Sequence, residues 1–243
     1  TRSSQNRVGL RNPGALAAAA FLAARRARLP AQFGVNVAAT PGVEDPRQQA
    51  EEVSAAAAAF LERDVCPTWF TVNLSCPNTE DDPRAQQTVE LAREVCSAAI
   101  RAIGQRDIPL WVKVGPTLAD EQYCALMRTF EELGVRAVVA ANTLPAPAPG
   151  APAVSAGIGG GRLHQRALAV AALLMAEKAR QGYRLDVVGC GGVEDGATYD
   201  DFARLGVRAV QYWTALIYRG PLAAGLIDAE RKRQTGHSND DCR

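Results

Sequence analysis

The chain has 243 residues, 47% of them hydrophobic and 22% charged, with 27 basic against 26 acidic side chains. This length and balance suit a soluble globular fold with one large core or two small ones, and a net charge of +1 with scattered signs offers no basic stripe to nucleic acid or an anionic membrane. Six cysteines at irregular spacing without a CxxC pair, together with only two histidines, argue against a zinc site and a disulfide framework and favour a reducing, cytoplasmic setting.

In chain order, residues 1–12, TRSSQNRVGLRN, read as a loop, and residues 13–29 as a helix. The run ALAAAAFLAA at 15–24 falls well short of the roughly 20 residues that span a bilayer, and it is expected to be an Ala-rich amphipathic helix rather than a signal-sequence core. Thr1 stands where a gene product would begin with Met, which fits a processed product or a fragment. From residue 33 onward, short β-branched or aromatic runs alternate with longer helical segments, the rhythm of repeated βα units and a parallel sheet. The strands are expected at 33–37, 68–74, 109–115, 136–142, 184–190 and 208–214, and the helices near 44–63, 84–104, 119–133, 163–181, 197–205 and 220–231. One domain over 1–243 is expected, with 232–243 as a polar tail. The Pro- and Gly-rich stretch 144–161 sits inside the βα rhythm, where a loop of that length serves as a lid or binding loop.

Unusual polar residues fall at the C-terminal ends of these strands: Asn36, Asn73, Lys113, Asn142, the Gly191-Gly192 pair and Thr214. In a (β/α)8 barrel all such ends converge on one face and build the active site there. An open doubly wound sheet collects ligands only at its switch point, so six marked strand ends favour the barrel. Turn preference explains an asparagine or two, but it does not explain a lysine within WVKVG. Six strands are counted where a barrel needs eight, so the chain is expected to begin inside the barrel and to lack its first two βα units.

Eight segments in order carry a resemblance: NRVGLRNPG (6–14), GVNV (34–37), VNLSCPNT (72–79), WVKVGPTL (111–118), VVAANT (138–143), AGIGGGRL (156–163), VVGCGGV (187–193) and VQYWTALIYRGP (210–221). With them the chain resembles the dihydroorotate dehydrogenases, FMN-dependent (β/α)8 barrels of de novo pyrimidine (UMP) biosynthesis. The resemblance implies oxidation of (S)-dihydroorotate to orotate. Cys76 matches the general base that removes the C5 proton while C6 passes a hydride to the flavin, work that needs an accessible thiolate. Asn6, Asn73, Asn78 and Asn142, with Thr143 beside them, match the pyrimidine-binding positions, where an amide offers donor and acceptor together. Arg7, Val8, Gly9 and Leu10 match the rest of the substrate loop.

On the FMN side the resemblance assigns Asn36, Asn73, Ala141 and Lys113, whose ammonium would stabilise negative charge on the reduced ring. It also assigns Gly160, Gly191, Gly192, Trp213 and Thr214 at the phosphate end, where glycine-freed amides, a hydroxyl and a helix N-terminus form an anion cradle. Gly159 departs from a common serine, and Ala141 from a threonine. The first strand of the family pattern, with a second lysine, has no counterpart in the chain. Cysteine as base is typical of soluble members, whereas the general layout is closer to membrane-associated quinone-using members. The electron acceptor is therefore left open among quinone, fumarate and NAD, and peripheral membrane association would need a quinone-site helix upstream. A homo-oligomer is allowed, although neither the last helix nor YRGP marks a dimer surface. Two alternatives stand beside the main reading: an FMN enzyme acting on another dihydropyrimidine, and a catalytically silent, truncated homologue or partner subunit. An incomplete barrel is expected to hold FMN poorly.

Overall fold

The computed structural model describes residues 2–74 and 89–240, with side chains through Arg233. The chain opens with β1 (Ser3–Asn6) and the helix α1 (Ala15–Ala23), then enters a repeating pattern. It runs β2 (Gly34–Val37), α2 (Pro46–Leu61), β3 (Trp69–Asn73), α3 (Val89–Ile103), β4 (Leu110–Val114), α4 (Asp120–Leu133) and β5 (Ala137–Ala140). After the hairpin β6 (Leu144–Ala148) and β7 (Ala151–Gly160) come α5 (Gly161–Gln181), β8 (Asp186–Cys190), α6 (Gly196–Arg204), β9 (Ala209–Gln211), α7 (Thr214–Arg219) and α8 (Ala223–Asp240). Helix starts carry their expected signals: Pro46 opens α2 behind Asp45, whose carboxylate accepts from the Arg47 amide at 3.0 Å. Asp195 caps α6 through the Thr198 amide at 2.9 Å.

The six strands expected from the sequence form one parallel sheet in the order β2-β3-β4-β5-β8-β9. Period-2 alternation gives this sheet two distinct faces. Val35, Val37, Phe70, Val72, Val112, Val114, Val138 and Val187 point outward, are buried, and pack with the helices in the main core. Fully burying such a side chain contributes about 1.5–3 kcal/mol, which is why the outward positions are almost all Val, Leu or Phe. Gly189 is an exception with a cause: a Cβ there would come within 2.5 Å of the Phe202 ring on α6.

The inner face holds a smaller cluster of Ala137, Val139 and Val188 with Trp111 and Cys190. Trp69 and Trp111 stack there at 4.5 Å between centroids, and Gly34, paired with Trp69 in register, leaves the space for the indole. Among the described residues β2 and β9 are the two ends of the sheet, so the six strands form a curled part-barrel that stays open between them.

Two expectations need correction. The segment 1–12 is not all loop: β1 pairs antiparallel with β7, Ser4 opposite Gly159 and Asn6 opposite Gly157. The stretch 144–161 is a hairpin rather than a structureless loop, in a separate three-stranded sheet of order β1-β7-β6. Its prolines Pro145 and Pro147 mimic a turn-rich loop in sequence, but they lie on the edge strand β6, where a missing N–H costs no sheet bond. Among the described residues no helix is long and apolar enough to cross a membrane.

Candidate functional site

The C-terminal ends of β3, β4, β5, β8 and β9 meet the β1–β7 sheet around a cavity of about 550 Å³, within the range of small-molecule sites. Inward parity places Asn73 and Lys113 side by side, paired in register on β3 and β4. The loop after β4 is pinned from below: the buried Tyr123 hydroxyl donates to the Gly115 carbonyl at 2.6 Å, and Arg166 Nε donates to the Pro116 carbonyl at 2.5 Å. Burial holds the Tyr123 phenol above its ordinary range, so it stays a donor.

On the cavity wall, Asn142 Nδ2 donates to Asn73 Oδ1 at 3.2 Å, and Asn142 Oδ1 accepts from the Thr143 amide at 2.8 Å. The hydroxyl Oγ1 of Thr143 is buried and has no hydrogen-bond partner among the described residues. Asn6 joins the lining from β1, its Oδ1 accepting from the Val8 amide at 3.3 Å, and Val8, Gly9 and Leu10 also line the wall. The peptide between Ala140 and Ala141 is cis.

Also on the wall, Lys113 Nζ donates to Cys190 Sγ at 3.5 Å. Lys113 is half-buried rather than sealed in the interior, so its charge faces the cavity. Part of the wall is bare backbone. Gly160 and Gly192 adopt φ of 82° and 70°, and a Cβ on either would sit 2.6 Å from Arg2 O or from His164 Cβ, respectively. The buried Thr214 hydroxyl beside them pairs with Ser4 Oγ at 2.9 Å. The first amide of α5 is already taken: Gly161 N–H donates to Arg2 O and to a Glu194 carboxylate oxygen. Trp213 and Thr214, at the start of α7, line the wall here.

Most residues expected at the site converge on this cavity: Asn6, Val8, Gly9, Leu10, Asn73, Lys113, Ala141, Asn142, Thr143, Gly160, Gly191, Gly192, Trp213 and Thr214. Arg7 and Asn36 do not line it. Arg7 is exposed, and Asn36 faces an adjoining groove shared with Gly9, Leu10 and Ala38. Cys76 and Asn78 lie outside the described residues. Three residues enter that sequence reasoning did not single out. Cys190 and Ser4 line the cavity, and His164 sits behind it with Nδ1 3.1 Å from the Gly191 carbonyl and Nε2 2.9 Å from Asp201 Oδ2. Strand alternation from Val188 could have pointed Cys190 inward; nothing local in the sequence links His164 to Gly191.

The family described as Dihydroorotate dehydrogenase matches residues 1–233. The chain belongs to the dihydroorotate dehydrogenase family. It is 34% identical over 236 residues to the dihydroorotate dehydrogenase (quinone) of Streptomyces griseus, covering 93% of this chain and 62% of that protein. It is 36% identical over 235 residues to the one of Thermobifida fusca, covering 91% of this chain and 60% of that protein. The chain thus spans about three fifths of the length of these relatives. The crystal structure of the Eimeria tenella dihydroorotate dehydrogenase in complex with ferulenol superposes with a TM-score of 0.80 at 19% identity, over 98% of this chain and 68% of that one. At that identity the likeness speaks for the shared barrel fold.

The cavity's donor set suits the flavin of this dehydrogenase family on three observations. A phosphate needs backbone approach, which Gly160 and Gly192 permit because a Cβ on either would fill the space. An acceptor-rich ring needs donors, and the unpartnered Thr143 Oγ1 is one. Negative charge needs a cation, and Lys113 is bonded to sulfur rather than to a carboxylate.

Proposed function

We propose that this chain carries the FMN-dependent oxidation of (S)-dihydroorotate to orotate in pyrimidine biosynthesis. The observation that supports it best is that one cavity gathers the amides of Asn73 and Asn142, the unpartnered Thr143 hydroxyl, the Lys113 ammonium and the Gly160, Gly192, Thr214 cradle. The amides of Asn6, Asn73 and Asn142 offer donors and acceptors at fixed positions and grip a planar ring that presents both. The Asn142–Asn73 bond orients each amide before the ring arrives, so little ordering remains to be done on binding.

Cys76 follows the end of β3 by three residues, and in this proposal its thiolate takes the proton from C5. Lys113 places positive charge where negative charge develops, in a cavity walled by Ala141, Leu163 and Val193. Gly160 and Gly192 let backbone amides approach a phosphate, and Thr214 adds a hydroxyl. FMN, when bound, supplies the hydride acceptor. The electron acceptor we propose is a quinone, the one in the names of the relatives.

Anaerobic mixing of the FMN-loaded protein with (S)-dihydroorotate should bleach the flavin's visible absorbance. Cys76→Ala should abolish the bleaching and keep orotate binding. Because the sheet is open between β2 and β9, loading is expected to need added FMN, and the purified chain should be nearly colourless. Absence of bleaching in the loaded protein would overturn the proposal. Bleaching by dihydrouracil alone would move it to another dihydropyrimidine.

A further inference from the structure

The backbones of Lys113 and Cys190 are two strands apart. Strands β4 and β8 flank β5, and at about 4.8 Å per strand their backbones lie about 10 Å from one another. The two side chains meet at 3.5 Å because both point into the cavity and because Ala141, just past β5, lines it with only a methyl group. Among the described residues Lys113 makes no ion pair with a carboxylate.

We propose that Cys190 is a positioning residue for Lys113: its sulfur fixes the direction of the ammonium within the cavity without cancelling its charge. The choice of partner matters. A carboxylate at this position would hold the ammonium more firmly and neutralise its field. An aliphatic side chain would leave it to swing on a four-carbon stem. A thiol is a weak acceptor with no formal charge in its protonated form, so it steers the lysine and leaves the charge for a ligand. The contact itself is independent of the cofactor; its consequence for the flavin rests on the FMN reading above.

The chain has three lysines, which makes the contact measurable without any ligand. Trinitrobenzenesulfonate labelling of the intact protein, followed by peptide mass spectrometry, reports Lys113 directly. Lys178, held by Asp186 at 3.0 Å, serves as internal reference. Cys190→Val keeps the volume and removes the acceptor, and should speed Lys113 labelling about threefold with Lys178 unchanged. Cys190→Ser restores an acceptor and should return the rate to the wild-type value. Should valine not fold, Cys190→Ala makes the same test.

With FMN at saturation, Cys190→Val should shift the midpoint potential of the bound flavin to a more negative value, and Cys190→Ser should bring it back. In a Lys113→Met background the Cys190 change should no longer move the potential. Equal labelling in wild type and Cys190→Val, or a serine variant that behaves like valine, overturns the proposal. Failure of the wild-type chain to take up FMN at all overturns the cofactor reading instead, and the labelling rates still decide the contact.

Discussion

Asn142 at the end of β5 reaches past β4 and donates to Asn73 at the end of β3, 3.2 Å away, with the Asn142 carbonyl oxygen held by the Thr143 amide. Each amide is thereby fixed in orientation, because a flip would set two donors or two acceptors against one another. Asn142→Ala should weaken orotate binding about tenfold by calorimetry, the cost of one lost hydrogen bond and a misoriented Asn73. Asn36→Ala should leave the orotate affinity within about twofold, since Asn36 faces the adjoining groove. Equal losses in both variants would contradict this geometry.

The three consecutive glycines at 159–161 are not equivalent. Gly160 has a φ of 82° and no space for a Cβ, which would press to 2.6 Å on Arg2 O and 2.8 Å on Thr214 Cγ2. Gly159 has ordinary room, with Ser4 Oγ and Thr214 Oγ1 each 3.5 Å from a Cβ. Urea unfolding should show Gly160→Ala losing about 2–3 kcal/mol and Gly159→Ser staying within about 0.5 kcal/mol of the parent. A serine at 159 would add a hydroxyl to the Ser4–Thr214 pair, which already supplies two hydroxyls there.

Thr143 should respond in opposite ways with and without ligand. Its Oγ1 is buried without a partner among the described residues, and an unpaired buried hydroxyl carries a desolvation cost. Thr143→Val removes that cost at nearly constant volume, so the ligand-free protein should melt at the same temperature or slightly higher. The rise in Tm produced by orotate should shrink in the same variant. A lower ligand-free Tm with an undiminished orotate effect would assign the hydroxyl a structural role.

The strands were legible because their two faces differ in chemistry. Outward positions such as Val72, Val112 and Val138 are apolar for the helices, whereas inward ones such as Asn73 and Lys113 change character at the strand ends. What alternation cannot report is pairing between distant segments. Ser4 opposite Gly159 joins residues 155 apart in sequence, and a short polar strand with no apolar face reads as loop until its partner is known. The prolines of β6 misled for a related reason, since edge position is a property of the assembled sheet. Lys113 keeps its polar end open on the cavity while its stem crosses the inner face.

Stability should fall in acid through the junction that anchors α8. Glu230 accepts from Arg219, which closes α7, and also from the Gly196 amide that opens α6, at 3.0 Å. The hydrogen bond from Arg219 lowers the Glu230 pKa below its ordinary 4.5, with burial opposing it. A carboxylate whose folded pKa is depressed stabilises the fold fully above its unfolded value, and the contribution is lost as pH falls through the folded one. The window therefore opens near pH 4.5 and extends downward. At pH 7, Glu230→Gln should cost about 1 kcal/mol, or about 3 °C in Tm, a modest figure because the pair is partly solvated. The gap between variant and parent should close below pH 4.5, where the parent's Glu230 becomes protonated. A gap that stays constant down to the acid limit would show that packing, rather than charge, holds the α6–α7–α8 junction.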